Sequence, residues 1–167
     1  ALATDIGETL HLAQMDRSSI VFVDKRKSSA QFETLARPGR IAPAHCTGVG
    51  KVMMAFMEPE QRAHALTKQS YESFTPNTHT NSETLLAELE QIRNEGIGFD
   101  REEHEDGIMS MAAPIFGGAG KVIGALSIVT STYRMTLDEL TNFRPALLRT
   151  ATQIGSEAEL WPYPVAQ

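Results

Sequence analysis

Hydrophobic and polar residues alternate loosely along Thr9-Leu10-His11-Leu12-Ala13-Gln14-Met15. The polar turn Asp16-Arg17-Ser18-Ser19 separates this segment from the short β-branched run Ile20-Val21-Phe22-Val23-Asp24. A strand turns successive side chains to opposite faces, so the two segments predict a β-hairpin. Gln31 to Leu35 predicts a third, weaker strand, ended by the turn residues Arg37-Pro38-Gly39-Arg40. The period then changes. Thr47 to about Phe56 reads as a helix, and Glu58-Pro59-Glu60 restarts one with proline at a tolerated early position. Ser73 to Asn81 is polar and irregular. Thr80-x-x-Glu83 fits a capping box; behind it Leu85, Leu86, Leu89 and Ile92 form an apolar face at helical spacing, and Gly96 suits a left-handed C-cap.

Ile97 to Asp100 predicts a short strand. Ile108–Phe116 and Lys121–Thr130 predict the arms of a hairpin around Gly117-Gly118-Ala119-Gly120, with Pro114 marking an edge or a bulge. Leu137, Leu140, Phe143, Leu147, Leu148, Ala151 and Ile154 carry a helical stripe that Pro145 kinks or restarts. Strands, helices, strands and a helix, in that order, favour an α+β domain with a mainly antiparallel sheet over a doubly wound parallel one.

The 167 residues suffice for one domain with its own core. Lys and Arg number 15 against 21 Asp and Glu, a net charge of −6. The cluster Lys25-Arg26-Lys27 reads as a solvated strand end, so nothing argues that this chain grips nucleic acid by itself. Cys46 is the single cysteine, which excludes an internal disulfide and suits a reducing cytoplasm. No apolar run reaches membrane-spanning length, and Ala1 to Thr9 lacks the basic start and apolar stretch of a secretory signal. The chain opens abruptly and without an initiator methionine, as a piece of a longer protein would.

Pro43-Ala44-His45-Cys46-Thr47-Gly48-Val49-Gly50-Lys51 places a glycine loop at a helix start, where backbone N–H groups lack internal partners and face anions. A P-loop needs glycine at 45 and Ser or Thr at 52, positions held here by His45 and Val52; a dinucleotide fingerprint needs glycine at 53, held by Met53. Both nucleotide motifs are rejected. Two readings remain: close helix–sheet packing, which the residues alone favour, and a seat for a small anion or a carbonyl.

Asp100-Arg101-Glu102-Glu103-His104-Glu105-Asp106-Gly107 fails calcium-loop spacing at Glu102 and His104, and His104 has no second histidine at zincin spacing. The segment reads mostly as an acidic, solvated connection. Asp100, ending an apolar stretch, stands apart as a residue able to point inward and hold a polar ligand group. His45 and Cys46 are adjacent and lack a third orienting group, so a structural histidine and a small buried thiol are the simpler reading than a nucleophile pair. No Gly-x-Ser-x-Gly elbow occurs, and His11, His64 and His79 are assigned no chemistry. Ser110 and Ser127 lie inside apolar strands, where a buried hydroxyl needs a partner: a backbone group or a ligand.

Together, Gly39-Arg40-x-x-Pro43-x-His45-Cys46-Thr47-Gly48-x-Gly50-Lys51, Glu95-Gly96-Ile97-Gly98-Phe99-Asp100-x-Glu102-Glu103, Gly107 and Ala112-Ala113-Pro114-Ile115 resemble the C-terminal effector-binding domain of IclR-type bacterial transcription regulators. Gly7-Glu8-Thr9-Leu10-His11-Leu12 and Val21-Phe22-Val23-Asp24-Lys25 fit the same pattern, so the resemblance covers nearly the whole chain. It implies a single ligand-binding domain over residues 1–167, GAF-like or profilin-like, with a curved, mainly antiparallel sheet and helices on both faces. It also implies a small-metabolite effector (a carboxylate, keto acid or sugar acid), a homodimer or homotetramer, a cytoplasmic location, and DNA contact only through an upstream winged helix-turn-helix domain absent from this chain. No catalysis, metal, cofactor or membrane partner is expected.

The resemblance carries pocket roles over by position. The Gly-x-Gly loop, which offers backbone amides to the ligand carboxylate, maps to Gly48 and Val49. The aspartate after the short strand is Asp100, the residue three past Gly107 is Ser110, and the strand serine is Ser127. Ala42, Ile108 and Met111 would form apolar walls. A second strand hydroxyl, two residues after Ser127, is Val129 here, which removes one polar contact. Two other readings stay open: an oligomerisation module without ligand, and a small-molecule hydrolase or isomerase using His45, Cys46 or Asp100.

Overall fold

The computed structural model describes residues 2–27 and 34–159. Six strands form one curled sheet in the order β3-β2-β1-β6-β5-β4, with every neighbouring pair antiparallel. They are β1 (Thr9–Asp16), β2 (Ser19–Arg26), β3 (Ile41–Pro43), β4 (Gly98–Arg101), β5 (Ile108–Phe116) and β6 (Val122–Ser131). The helices are α1 (Leu2–Ile6), α2 (Gly48–Ala55), α3 (Pro59–Thr67), α4 (Ser82–Glu95), α5 (Leu137–Thr141) and α6 (Arg144–Glu159). The domain is α+β, as the order of predicted elements implies.

Helices cover both faces of the sheet. On one face Val52 and Met54 of α2 and Leu85 and Leu89 of α4 pack with Ala13, Phe22, Ala112 and Ala125 of the strands. On the other, Leu140 of α5 and Leu147 and Ala151 of α6 pack with Met111, Ala113, Ile115, Leu126 and Ile128. Burial on both faces is why β5 and β6 read as nearly continuous apolar runs rather than as alternating ones. Polar residues inside those runs therefore lie in the interior.

The β1–β2 register shifts between Leu12 and Ala13, leaving Val23 as an unpaired extra residue. This bulge lets Phe22 and Lys25, three residues apart, both stand beside residues of one β1 face, Ala13 and His11. Pro114 pairs with Ala125 on β6, while β4 stops at Ala112 on the other side. The proline therefore occupies a local edge, where no ladder donor is needed. Pro145 restarts the C-terminal helix, which breaks between Thr141 and Arg144.

Two expectations are corrected. The α4 cap is Asn81, whose side chain accepts from Thr84 N at 2.9 Å, and not Thr80. The third strand of the hairpin region is Ile41–Pro43; it follows a turn tied to β2 by Gly39 N donating to Phe22 O (2.7 Å) and Phe22 N donating to Arg40 O (3.1 Å). The expected strand over Gln31 to Leu35 lies largely outside the described residues, and its described part, Thr34 and Leu35, is not strand.

Helix α6 crosses β5 so closely that a Cβ on Gly155 would stand 2.2 Å from Phe116 O, a backbone atom that cannot rotate away. Gly155→Ala is expected to destabilise the domain by about 2–3 kcal/mol through overpacking. A lowered urea midpoint with an unchanged m-value checks it.

Candidate functional site

One cavity, of about 240 Å³, opens between the N-terminus of α2 and the face of the sheet that α2 covers. Ser110, Ser127 and Val129 form its floor together with His11 and Asp100, while Thr34–Ala36, Ile41, Phe74 and His104 surround it. Strand register explains the floor. Asp100 pairs with Ser110 and Ser110 with Val129, while Ala112, Ser127, His11 and Lys25 form the adjoining row across β5, β6, β1 and β2. Cross-strand partners share a face, so the pleat brings these side chains together from positions up to 118 residues apart in the chain, His11 and Val129.

The wall opposite is the first turn of α2. Thr47 caps it, its hydroxyl accepting from Gly50 N at 3.2 Å and donating to Pro43 O at 2.9 Å, while Lys51 N donates to Thr47 O at 3.0 Å. Gly48 and Val49 line the cavity, and their N–H groups have no partner among the described residues. A Cβ on Gly48 would stand 2.7 Å from Ser110 Oγ and 3.4 Å from Asp100 N, so glycine is what lets the helix start approach the sheet. Gly50 is held for packing: a Cβ there would meet Ala44 O at 2.4 Å. Both readings of the glycine loop thus have a residue: Gly50 packs, and Gly48 and Val49 present free amides.

The floor serines are buried residues, Ser127 2 % and Ser110 6 % exposed, whose hydroxyls line the cavity. Neither side chain has a hydrogen-bond partner among the described residues. Asp100 accepts from Glu103 N at 2.8 Å through Oδ1. Burial, and then the nearby Glu103 carboxylate, push its pKa up to about 7. The floor of the cavity is therefore a set of hydrogen-bonding groups facing two free amides, with the Asp100 carboxyl changing charge near pH 7.

Lys51 lies outside the cavity and is wholly buried. Its ammonium donates to Glu103 Oε1 (2.8 Å) and Oε2 (2.6 Å) and to Glu88 Oε1 (2.8 Å), which uses all three donors. Glu88 is also bonded to His79 and to Arg101. Burial alone would raise the Glu88 pKa, but the His79 hydrogen bond and the Lys51 ammonium outweigh it and bring it down to about 2. His79, Glu88 and Glu103 place ligand-type atoms within 4.8 Å of one another, and the Lys51 ammonium supplies the positive charge there. Thr75 and Thr78 fasten the adjoining turn, donating to Glu102 O (2.5 Å) and Glu103 O (2.6 Å).

Of the residues singled out from the sequence, Gly48, Val49, Asp100, Ser110, Ser127, Ile108 and Ala42 line the cavity. Met111 does not. It is fully buried in the cluster beneath α5 and α6, because it adjoins Ser110 on one strand and so points to the opposite face. The acidic connection after Asp100 is less solvated than expected, since Glu103 is 3 % exposed and ion-paired. His79 also has a role, in the Glu88 pair. His45 and Cys46 are both fully buried; the imidazole bonds Glu72 O at 3.0 Å, and burial pushes the thiol far up, so the two form no nucleophile pair.

Sequence reasoning missed His11, Thr34, Phe74, His104 and Glu105 as cavity residues. His104 and Phe74 meet edge to face, 5.0 Å apart. The Glu105 carboxylate accepts from Leu35 N at 3.2 and 3.3 Å. Lys25 Nζ donates to Thr34 Oγ1 at 3.1 Å and to Ala36 O at 3.2 Å. The signal for His11 was its strand phase: it shares a face with Ala13, not with Leu10 and Leu12.

Comparison with known proteins places this architecture. The family model described as bacterial transcriptional regulator IclR C-terminal matches residues 1–156. The HTH-type transcriptional regulator KdgR of Escherichia coli (strain K12) is 34 % identical over 157 residues, covering 94 % of this chain and 60 % of that protein. The crystal structure of the C-terminal domain of E. coli KdgR aligns with a TM-score of 0.85 at 33 % identity, over 95 % of this chain and 92 % of that one. That of a double mutant of the PobR inducer-binding domain from Acinetobacter, in complex with 3-hydroxybenzoic acid, aligns with a TM-score of 0.81 at 26 % identity, over 92 % and 90 %. The chain spans about half to three fifths of the length of the curated relatives it matches.

Lys51→Met would leave Glu103 and Glu88 facing each other without their common cation. A buried charge stripped of its partner costs about 3–5 kcal/mol, and the chemical-denaturation midpoint at neutral pH should fall accordingly. Adding Glu103→Gln to Lys51→Met should recover part of the loss.

Proposed function

Because this chain belongs to the bacterial transcriptional regulator IclR C-terminal family, we propose that its cavity is an effector site: it binds a small carboxylic acid, and occupancy controls DNA binding by an upstream helix-turn-helix domain outside this chain. The observation that carries the reading is the pair of hydroxyls of the buried serines Ser110 and Ser127, without protein partners among the described residues, on a cavity floor that faces the free N–H groups of Gly48 and Val49. Buried polar groups are normally paired. A carboxylate on the amides, with ligand oxygens on the hydroxyls, would pair all four. The volume lies below the roughly 300–1,000 Å³ of drug-sized sites, which suits a small keto acid or sugar acid. The PobR domain was crystallised with a small hydroxylated acid, 3-hydroxybenzoic acid, and that supports the same ligand class here.

The regulator would act in the cytoplasm as a homodimer or homotetramer. Effector binding can shift its equilibrium only by as much as the two states differ in affinity for the ligand. A ligand-free oligomerisation module would be expected to close this space with apolar side chains; the polar floor argues for a ligand. No helix among the described residues is long and apolar enough to cross a membrane.

A bound acid raises thermal stability by mass action. A thermal-shift screen of keto acids, sugar acids and aromatic acids should give at least one positive shift; none, with a folded sample, overturns the reading. Ser127→Ala should weaken the hit by roughly 3- to 10-fold, the contribution of one hydrogen bond.

Affinity should also depend on pH through Asp100, whose charged neighbours are Glu103, Lys51 and Glu105. Below a pKa of about 7 its carboxyl is neutral and can donate to a bound carboxylate; above it, two anions face each other. The Kd for a monoanion is therefore expected to rise as pH increases through about 7. Asp100→Asn, which keeps a donor without a charge, should flatten that profile in titration calorimetry.

A further inference from the structure

His11 is 4 % exposed, yet its hydrogen-bonding capacity is largely unused. Its ring meets Phe22 edge-on at 5.2 Å. Its one hydrogen-bond contact among the described residues is with Thr34 Oγ1, 3.5 Å from Nε2 and at the outer limit of a hydrogen bond. That hydroxyl already accepts from Lys25 Nζ at 3.1 Å. Burial, and then the Lys25 ammonium, lower the imidazole pKa to about 3, so at any working pH the ring offers one donor and one acceptor and carries no charge. A phenylalanine would fill the same space without a polar atom to satisfy.

Two placements give this spare capacity a direction. The imidazole faces the cavity, and its cross-strand partner is Ser127, whose hydroxyl also lacks a protein partner. The α2 amides lie elsewhere, over β4 and β5, since a Cβ on Gly48 would touch Ser110, Asp100 and Ala112. His11 is on β1, two strands from β5, or about 10 Å at strand spacings of about 4.8 Å. The cavity thus has free helix amides at one end and, two strands away, an uncharged imidazole that can both donate and accept.

We propose that His11 is a specificity-determining residue of this cavity: its imidazole, with the Ser127 hydroxyl beside it, hydrogen-bonds a hydroxyl group carried several carbons from the effector's carboxylate, and so selects hydroxylated monocarboxylates over their deoxy analogues. The assignment rests on the effector reading above. Sites built to pair a ligand hydroxyl discriminate strongly against the analogue lacking it, because their own polar groups are then left unpaired.

The test uses this chain with two six-carbon acids that differ only in hydroxyl groups, gluconate and hexanoate. Titration calorimetry should give the wild-type protein a preference for gluconate of at least about tenfold. His11→Phe, which keeps the ring against Phe22, should lose most of that preference through a fall in gluconate affinity. His11→Gln, which keeps a donor and an acceptor, should restore part of it. A His11→Phe protein that keeps the wild-type ratio overturns the assignment while leaving the effector reading intact. Absence of binding by every acid in the wider screen overturns the effector reading and the assignment with it. A readout independent of any variant is nitrogen NMR of ring-labelled histidine. Gluconate should shift the His11 ring resonances and hexanoate should not; equal shifts, or none, overturn the proposal.

Discussion

A lysine with no exposed surface must have its charge neutralised where it stands. Lys51 meets that requirement through Glu103 and Glu88, and the consequence reaches beyond one ion pair. Lys51 belongs to α2, Glu88 to α4, and Glu103 to the turn that follows β4. The three charges pin the helix that walls the cavity to a second helix and to the turn beside Asp100. Glu103 also donates its backbone N–H to the Asp100 carboxylate, and its own charge helps hold that carboxyl protonated to higher pH. The cation of the glycine-loop segment thus acts on the site from behind, through the geometry and the charge of Asp100, and it does so without facing any ligand. Buried ion pairs are poor sources of net stability because desolvation offsets most of the attraction. What this one supplies is position.

The second constraint is the sheet buried on both faces. Side chains of β5 and β6 have nowhere to go except into one of two cores, so a serine among them is in the interior by construction. On the α5–α6 side every such position but Thr130, which pairs with Met109, is apolar. On the α2 side the helix start is lifted over the sheet by a short turn, and the pleat there presents Asp100, Ser110, Ser127 and His11 in two adjoining cross-strand rows. The cavity is the place where apolar packing on that face stops and polar side chains take its place.

How much of this could be read from the chain follows from how local each determinant is. The β5–β6 hairpin and α2 are encoded within runs of about ten residues, and they stand where the pattern puts them. β3 has three residues with Ile41 largely exposed, too short for any period to register. Thr80 and Asn81 are adjacent, both capable caps, and only the chain direction in three dimensions selects Asn81. The burial of Lys51 depends on partners 37 and 52 residues away, which no local pattern reports. Met111 was within reach of sequence reasoning: two adjacent strand residues cannot both face one cavity, so assigning Ser110 to it removes Met111. The same alternation, applied to Leu10, His11, Leu12 and Ala13, would have placed His11 on the cavity side.

The means by which each wall is held differ in kind. The floor is sheet, with a ladder on both sides of β1, β5 and β6. The α2 wall is fixed by the Thr47 cap, by the Gly50 contact with Ala44 and by Lys51. Thr34 to Ala36, at the mouth, carries no regular structure, and hydrogen bonds from Lys25 and to Glu105 fasten it at Thr34, Leu35 and Ala36. Contacts made by floor and helix wall are preorganised, and a ligand gains from them without a further ordering cost. Contacts made by the mouth depend on two charged side chains whose other surroundings a ligand's own charge would alter. An anion entering this cavity therefore meets a rigid recognition surface on two sides and, on the third, a segment whose attachment is itself electrostatic; differential affinity between two states of the domain would have to arise on that third side.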